Sequence, residues 1–245
     1  MSDAIVVMDR YELKYVLTKE QIGNLIQALD GHMKVDKYGK TSIASLYYDT
    51  ADSRLIRKSL EKPKFREKIR LRSYGLATGD KPVFLELKRK AYGIVYKRRV
   101  ETKVEDVNDF FDYKLDHVAD GQIAKEITYF RNYYGKLVPS CLIIYDRVAY
   151  FEEEGDLRLT IDYNPRYRID NLTLDYSMEG TSPLKDGEAI LEVKVQDSVP
   201  LWLSHILDKY KIYNNSFSKY GKAYESVHKM TKEERGMYYV WFNFQ

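Results

Sequence analysis

Cationic side chains recur at every second position in one stretch of this sequence. Arg66, Lys68, Arg70 and Arg72 alternate there with residues that include Ile69. Because successive side chains of a β-strand point to opposite faces, the four cations are expected to share one face. The planar guanidinium of arginine matches phosphate oxygens and lysine adds point charges, so the spacing indicates a phosphate-binding surface.

Six further segments repeat this alternation. Their side chains that share the charged face are Arg10, Glu12 and Lys14; Glu86, Lys88 and Lys90; Lys97 and Arg99; Tyr145 and Arg147; Arg158; and Glu192 and Lys194. For any single strand, the alternative is an ordinary sheet with its charged face in water. Neighbours on one face lie about 7 Å apart, where a like-charge pair costs roughly 2 kcal/mol at an effective dielectric of about 20, against about 0.6 kcal/mol in water. Repetition over so many strands, with few carboxylates, favours a cavity that binds phosphates.

The few carboxylates on this face are candidate metal ligands. Glu192 is flanked by cations and is the main candidate to hold a divalent ion that bridges phosphate oxygens, since hard cations prefer oxygen ligands. Glu12 and Glu86 are weaker candidates. They are equally well interpreted as ion-pair partners of Lys14 and Lys88.

The elements that position these residues follow from period and composition. Strands are predicted at 9–17, 43–49, 65–74, 82–91, 93–103, 142–151, 157–167 and 188–195, and helices at 19–30, 52–61, 105–115, 120–135 and 199–210. The chain, residues 1–245, is therefore predicted to be one α+β domain on a large antiparallel eight-stranded sheet. An up-and-down order would close that sheet into a barrel.

Three local signals set expected boundaries. Thr18 with Gln21 three residues later is typical of a capping box that begins the first helix. Ser198 is the predicted N-cap of the helix at 199–210, with Pro200 in its first turn. Gly93 suits a tight hairpin between two strands.

Composition narrows the function classes. The 245 residues contain 40 Lys and Arg against 37 Asp and Glu, a formal charge of +3 that by itself predicts no partner. One cysteine excludes a disulfide framework and a cysteine-based metal site, and Cys141 lies in an apolar run typical of a buried thiol. No signal peptide or spanning segment is evident, so a soluble, cytoplasmic protein is expected. The four histidines show no metal-ligand spacing, and no phosphate-binding glycine loop is present.

These motifs resemble the VTC domain, the polyphosphate polymerase module of the vacuolar transporter chaperone complex, within the CYTH or triphosphate tunnel superfamily. Seven motifs occur in order from about residue 9 to residue 228. They are Arg10-x-Glu12-x-Lys14, residues 68–75, residues 84–88, residues 145–150, residues 158–162, residues 191–194 and residues 218–220.

The resemblance implies a tunnel barrel with a basic lumen and surrounding helices. It also implies transfer of the γ-phosphate of ATP onto a growing inorganic polyphosphate, with release of ADP and dependence on Mn²⁺ or Mg²⁺. The implied phosphate contacts are Lys14, Arg70, Arg72, Lys88, Lys97, Arg147 and Arg158; Arg70, Arg72, Lys88, Arg147 and Arg158 are the predicted catalytic residues. Glu192 would bind the metal, and Ser218 and Lys219, at the start of a C-terminal helix at about 217–230, would close one tunnel end.

Two other functions stay open: a tunnel triphosphatase acting on inorganic triphosphate or a nucleotide, and a non-catalytic polyphosphate-binding module. Arg10 stands where many hydrolytic relatives carry the first Glu of Glu-x-Glu-x-Lys, which weakens a two-metal triphosphatase. No nucleic-acid partner is expected, because the basic residues sort onto strand faces. A membrane partner or a homo-oligomer is left open, and the aromatic tail, residues 237–245, is interpreted as packing on the barrel or on a second subunit.

Overall fold

The computed structural model describes residues 7–8, 11–92 and 94–228, so the predictions for Arg10, Gly93 and the tail lie outside the described residues. The described strands are β1 Val7–Met8, β2 Tyr11–Leu17, β3 Lys34–Asp49, β4 Phe65–Tyr74, β5 Val83–Ala91, β6 Ile94–Thr102, β7 Val138–Phe151, β8 Arg158–Arg168 and β9 Ala189–Val195. The described helices are α1 Lys19–Leu29, α2 Arg54–Leu60, α3 Val104–Phe111, α4 Gln122–Tyr134, α5 Leu201–Lys209 and α6 Lys219–Val227. None of these helices combines the length and apolar character that a membrane crossing requires.

All of these strands belong to one antiparallel sheet, in the order β1-β6-β5-β4-β3-β7-β8-β9-β2. The strands at the two edges, β1 and β2, are consecutive in the chain, and only residues 9 and 10 separate them. The Cα atoms of Met8 and Tyr11 are therefore at most about 11 Å apart, which brings the two edges together. The predicted α+β class and antiparallel sheet are confirmed. Within the described residues, however, no backbone pairing joins β2 to β6, so hydrogen bonds do not close the barrel.

Most predicted boundaries agree with the structure to within about two residues, and four were wrong. The strand predicted at 142–151 begins at Val138, and the helix predicted at 105–115 ends at Phe111. The strand predicted at 43–49 begins at Lys34. Its first half is largely exposed, and its pairing with β7 shifts register between Val35 and Lys40. Such a segment shows no apolar alternation. The predicted N-cap Ser198 is also wrong: α5 begins at Leu201, and Pro200 occupies the N-cap position without a side-chain cap. The capping box at Thr18 is confirmed.

Apolar residues on the outer face of the sheet pack against helices. Ile69 and Leu71 of β4 belong to a core cluster that includes Phe110 of α3 and Ile127 of α4. A second cluster joins apolar residues of β2, β8 and β9 to α1 and α5. Since side chains alternate along each strand, burial of these residues turns their charged neighbours to the inner face.

The helices α2 and α6 pack instead on inner-face residues. Tyr220 of α6 stacks on Tyr47 of β3, with ring centroids 4.4 Å apart, in a cluster that also contains Ile56 of α2 and Cys141 of β7. Burial raises the pKa of the Cys141 thiol to about 12, which agrees with the expected structural thiol.

Asp49, at the end of β3, accepts hydrogen bonds from both of these helices. Its two carboxylate oxygens accept hydrogen bonds from the backbone amides of Leu55 and Ile56 at 2.8 and 2.9 Å. The hydroxyl of Tyr220 donates to the same carboxylate at 3.0 Å. Ser53 at the start of α2 makes no side-chain cap, and Asp49 instead satisfies two of the free amides of this helix.

Replacement of Asp49 tests this role. Asp49→Ala should lower the free energy of unfolding by about 2 kcal/mol or more, because it removes a helix cap and leaves the buried Tyr220 hydroxyl with one partner fewer. Urea denaturation monitored by circular dichroism measures the change. The control is Asp52→Ala at a carboxylate whose side chain is 63% exposed, which should cost less than about 1 kcal/mol. Equal losses in the two variants would contradict the assignment.

Candidate phosphate-binding site

The inner face of the sheet carries the charged residues that strand alternation grouped together. Arg70 of β4 lies opposite Glu86 of β5, and Glu86 lies opposite Arg99 of β6. On β2 and β9 the equivalent pair is Lys14 and Glu192. We call this surface the charged inner face, meaning the side chains of Glu12, Lys14, Lys68, Arg70, Arg72, Glu86, Lys88, Lys97, Arg99, Arg147, Asp162, Glu192, Lys194 and Lys219.

Glu86 is the centre of one ionic cluster. Its side chain is 1% exposed and lies 2.8 Å from Arg70, 3.6 Å from Arg72, 3.3 Å from Lys97 and 3.8 Å from Arg99. Burial on its own would raise the pKa of Glu86, but the neighbouring cations outweigh it and hold that pKa far below its usual value. Glu86 is therefore a permanent anion that holds cations from the two neighbouring strands, β4 and β6.

Neutral hydroxyl groups hold the two central arginines in place. Arg70 donates to the phenol oxygen of Tyr47 at 2.8 Å, and Arg72 donates to Ser45 and to Tyr145, each at 3.3 Å. These oxygens fix the guanidinium planes without neutralising their charge.

A second cluster forms where β8, β9 and α6 meet. Arg147 makes a two-pronged ion pair with Asp162 at 2.6 and 2.8 Å and reaches Glu192 at 3.4 Å. Lys219 of α6 pairs with Asp162 and lies 3.5 Å from Glu192. Lys194 lies 3.6 Å from Glu192. Burial opposes ionisation of both carboxylates, yet the surrounding cations keep the pKa values of Asp162 and Glu192 below normal.

Lys14 and Glu12 join the second cluster to the other edge of the sheet. Lys14 lies 3.1 Å from Glu192 and 3.0 Å from Glu12, and Glu12 lies 3.3 Å from Lys88 on β5. Despite the cost of burial, Lys88 and Lys14 lower the pKa of Glu12 to about 2. The ion pair between β2 and β5 thus crosses the gap that backbone pairing leaves open.

Some predicted site residues lie at the margin of this network. The Arg66 guanidinium donates to the carbonyl of Pro63 at 2.9 Å, and Arg158 donates to the carbonyls of Glu152 and Leu157 at 3.2 and 3.1 Å. Burial and nearby cations lower the pKa of Lys90. Ser218 caps α6 by accepting from the Gly221 amide at 3.1 Å and also faces Lys68. Their contacts with phosphate stay predictions.

Sequence reasoning missed the role of Asp162. The motif at residues 158–162 contains Asp162, but no function was assigned to it, although this carboxylate is fully buried and holds Arg147 and Lys219. The alternation on β8 was the available signal. The ion-pair partners of Asp162 could not be predicted from the sequence, because its pairing with Lys219 depends on the docking of α6.

The donor groups near Glu192 fit a divalent ion that arrives together with phosphate. The Thr160 hydroxyl, on the residue that pairs with Glu192 across β8 and β9, is buried without a hydrogen-bond partner. Glu12 is linked to Glu192 through Lys14. Among the described residues, no three candidate ligand side chains already form a metal cage. One or two carboxylates completed by substrate oxygens are the arrangement that Mg²⁺ adopts with phosphates.

Comparison with known proteins identifies the family. The model of the VTC domain matches residues 9–228, nearly the whole of the described chain. The chain belongs to the VTC domain family. No match was found among curated protein sequences.

Solved structures support the fold of this VTC domain. A candidate adenylate cyclase from Bacillus halodurans aligns with a TM-score of 0.53 at 15% identity, over 86% of this chain and 96% of that one. A candidate adenylyl cyclase from Hippeastrum, described as having a dominant triphosphatase activity, aligns with a TM-score of 0.52 at 16% identity, over 91% of this chain and 98% of that one. At such identities the likeness concerns the fold.

The lowered pKa of Glu86 can be tested through the free energy of unfolding at acidic pH. A carboxylate with a lowered pKa stabilises the fold above its unfolded value, near 4.5, and that stabilisation is lost as the pH falls toward the folded value. Glu86→Gln should therefore reduce the free energy of unfolding at pH 7 by about 3 kcal/mol and flatten its decline between about pH 4.5 and pH 2.

Urea denaturation at several pH values measures both effects. Glu153→Gln is the control, because that side chain is 58% exposed and its pair with Lys34 lies on the surface. It should change stability by less than about 1 kcal/mol. A pH profile of Glu86→Gln as steep as that of the unmodified protein would disprove the assignment.

Proposed function

We propose that this protein is a polyphosphate polymerase that transfers the γ-phosphate of ATP onto a growing inorganic polyphosphate and releases ADP. The observation that carries the proposal is the charge of the inner face. Nine described cations there contact only four described carboxylates. Membership of the VTC domain family supports a phosphate chain as the polyanion that balances this excess.

The reaction exchanges one phosphoric anhydride bond for another. A terminal oxygen of the acceptor chain attacks the γ-phosphorus, the bond between the γ-phosphorus and the β,γ-bridging oxygen breaks, and that oxygen leaves on ADP. No protein nucleophile is required. Catalysis of such a transfer depends on alignment and on stabilisation of charge at the phosphoryl oxygens.

The inner face meets both requirements with groups already in place. Arg70 and Arg72 are held by Glu86 and by neutral hydroxyls, so little reorganisation is needed when phosphates arrive. Lys88 and Lys97 are 42% and 47% exposed and present mobile charges beside them. Arg147, fixed by the buried Asp162, contributes a further guanidinium from the opposite wall.

Glu192 is the residue proposed to hold Mn²⁺ or Mg²⁺, with Thr160 and Glu12 as additional oxygen donors. When bound, the ion supplies charge neutralisation at the phosphate oxygens. Glu86 and Glu192 each have four described cations within ion-pair distance. Glu192 is preferred because the residue opposite it, Thr160, carries a buried hydroxyl without a hydrogen-bond partner among the described residues.

A gel assay of ATP with Mn²⁺ tests the function. The unmodified protein should produce ADP and a ladder of polyphosphate chains. Arg70→Ala and Glu192→Gln should each lower kcat by about 100-fold or more, because each removes a group that acts on the phosphates. Lys103→Ala, at a side chain that is 58% exposed and paired with Asp80 at the surface, should leave the rate unchanged.

The products separate this proposal from the other two functions. Orthophosphate from ATP without longer chains would identify a triphosphatase. Tight polyphosphate binding without nucleotide consumption, retained in Glu192→Gln, would identify a binding module. Either result would refute the polymerase.

A further inference from the structure

Lys68 differs from the other cations at the centre of the charged inner face. No described carboxylate forms an ion pair with it, whereas every other cation of that face has at least one such pair. Its ammonium nitrogen lies 3.4 Å from the hydroxyl of Ser218 and 5.8 Å from the ring centroid of Tyr220. Both partners belong to the start of α6 and are neutral.

The elements around Lys68 present mainly positive charge to it. Lys88 lies directly opposite on β5, Arg66 and Arg70 flank it on β4, and Lys14 faces it from β2. Like charges directly opposite each other on a sheet destabilise it. A second ammonium group is thus held beside Lys88 without a carboxylate of its own.

The nearby carboxylates are engaged elsewhere. Glu12 is paired with Lys14 and Lys88. Asp49 ends β3 one residue beyond the partner of Ile69, and both of its oxygens accept hydrogen bonds from α2. Burial and then the cations Lys88, Lys14, Arg66 and Arg70 lower the pKa of Lys68 to about 7. Without phosphates, this amine therefore carries only part of a charge at neutral pH.

We propose that Lys68 is the amine at which the inner face takes up a proton when a phosphate chain binds, so that affinity for polyphosphate depends on pH through this residue. The step converts a neutral amine and a solvent proton into an ammonium ion beside the bound chain. The phosphates supply the negative charge that no carboxylate provides, which favours the protonated form. This inference rests on the proposed function only in taking a phosphate chain as the ligand.

The sign of the pH effect follows from linkage. Binding takes up a proton wherever the free amine is neutral and the bound amine is charged, so affinity falls as pH rises above about 7. The limit for one proton is about tenfold per pH unit. Below about pH 6 the amine is already charged and this dependence disappears.

Calorimetric titration with long-chain inorganic polyphosphate at pH 8 measures the proton directly. Runs in two buffers with different ionisation enthalpies give the number of protons taken up. The unmodified protein should take up about 0.9 proton more than Lys68→Arg, whose guanidinium is charged throughout. Lys68→Arg should bind the chain with an affinity that loses most of its pH dependence between pH 7 and pH 9.

Two comparisons isolate Lys68 from other titrating groups. Burial lowers the pKa of Lys97 to about 8, although the charge of Glu86 acts in the opposite direction. Lys97 is present in both proteins, so its proton uptake cancels in the difference between them. Long chains have few terminal phosphates, so their titration near pH 6 adds little. Lys103→Arg at the surface should leave the proton uptake unchanged.

The outcomes distinguish this inference from the proposed function. Binding with equal proton uptake in the unmodified protein and Lys68→Arg would overturn the inference and leave phosphate binding intact. If Lys68→Arg fails to fold, the unmodified protein decides: net uptake at pH 8 no larger than the roughly 0.5 proton that Lys97 can supply would overturn the inference. Failure of the unmodified protein to bind polyphosphate would overturn the proposed function together with it.

Discussion

The excess of positive charge on the inner face of the sheet is the constraint on which the rest of this structure depends. Each inward cation destabilises the fold unless a carboxylate, a hydroxyl or a bound anion lies close to it. The structure supplies carboxylates at three central positions, Glu86, Asp162 and Glu192, each buried and each shared among several cations. The cations that remain undercompensated mark where a polyanion belongs.

Shared cations link three of the inner-face carboxylates, Glu12, Glu192 and Asp162, into one system. Lys14 joins Glu12 to Glu192, while Arg147 and Lys219 join Glu192 to Asp162. Breaking a buried pair leaves an uncompensated charge, which is far more costly than losing a surface pair. This geometry couples α6 to the wall of the sheet, because Lys219 and Tyr220 are consecutive residues of that helix. A ligand that draws Lys219 away from Asp162 would therefore act on the docking of α6 as well.

Sequence patterns predicted the features that are local. Alternation predicted that Arg70 and Arg72 lie on one face of their strand and Ile69 and Leu71 on the other, because side chains along a strand alternate with a period of two. Burial of the apolar side chains against helices then fixes which face is the outer one. The capping box at Thr18 was equally local.

The remaining features depend on contacts between distant parts of the chain. Tyr220 and Asp49 are 171 residues apart, and only the docking of α6 brings them together. Lys68 lacks a carboxylate partner among the described residues because the register of β4 against β5 places Lys88 opposite it, and because Glu12 of β2 pairs with Lys88. The first half of β3 was missed because its side chains are mostly exposed and form no apolar period.

The central claim is that phosphates occupy the inner face, and a crystal structure of the protein soaked with inorganic tripolyphosphate tests it most directly. The account predicts phosphate density within hydrogen-bond distance of Arg70, Arg72 or Arg147, with Lys68 drawn toward the chain. Phosphate density confined to the outer, helix-covered face, or no density on the inner face at saturating concentration, would contradict it.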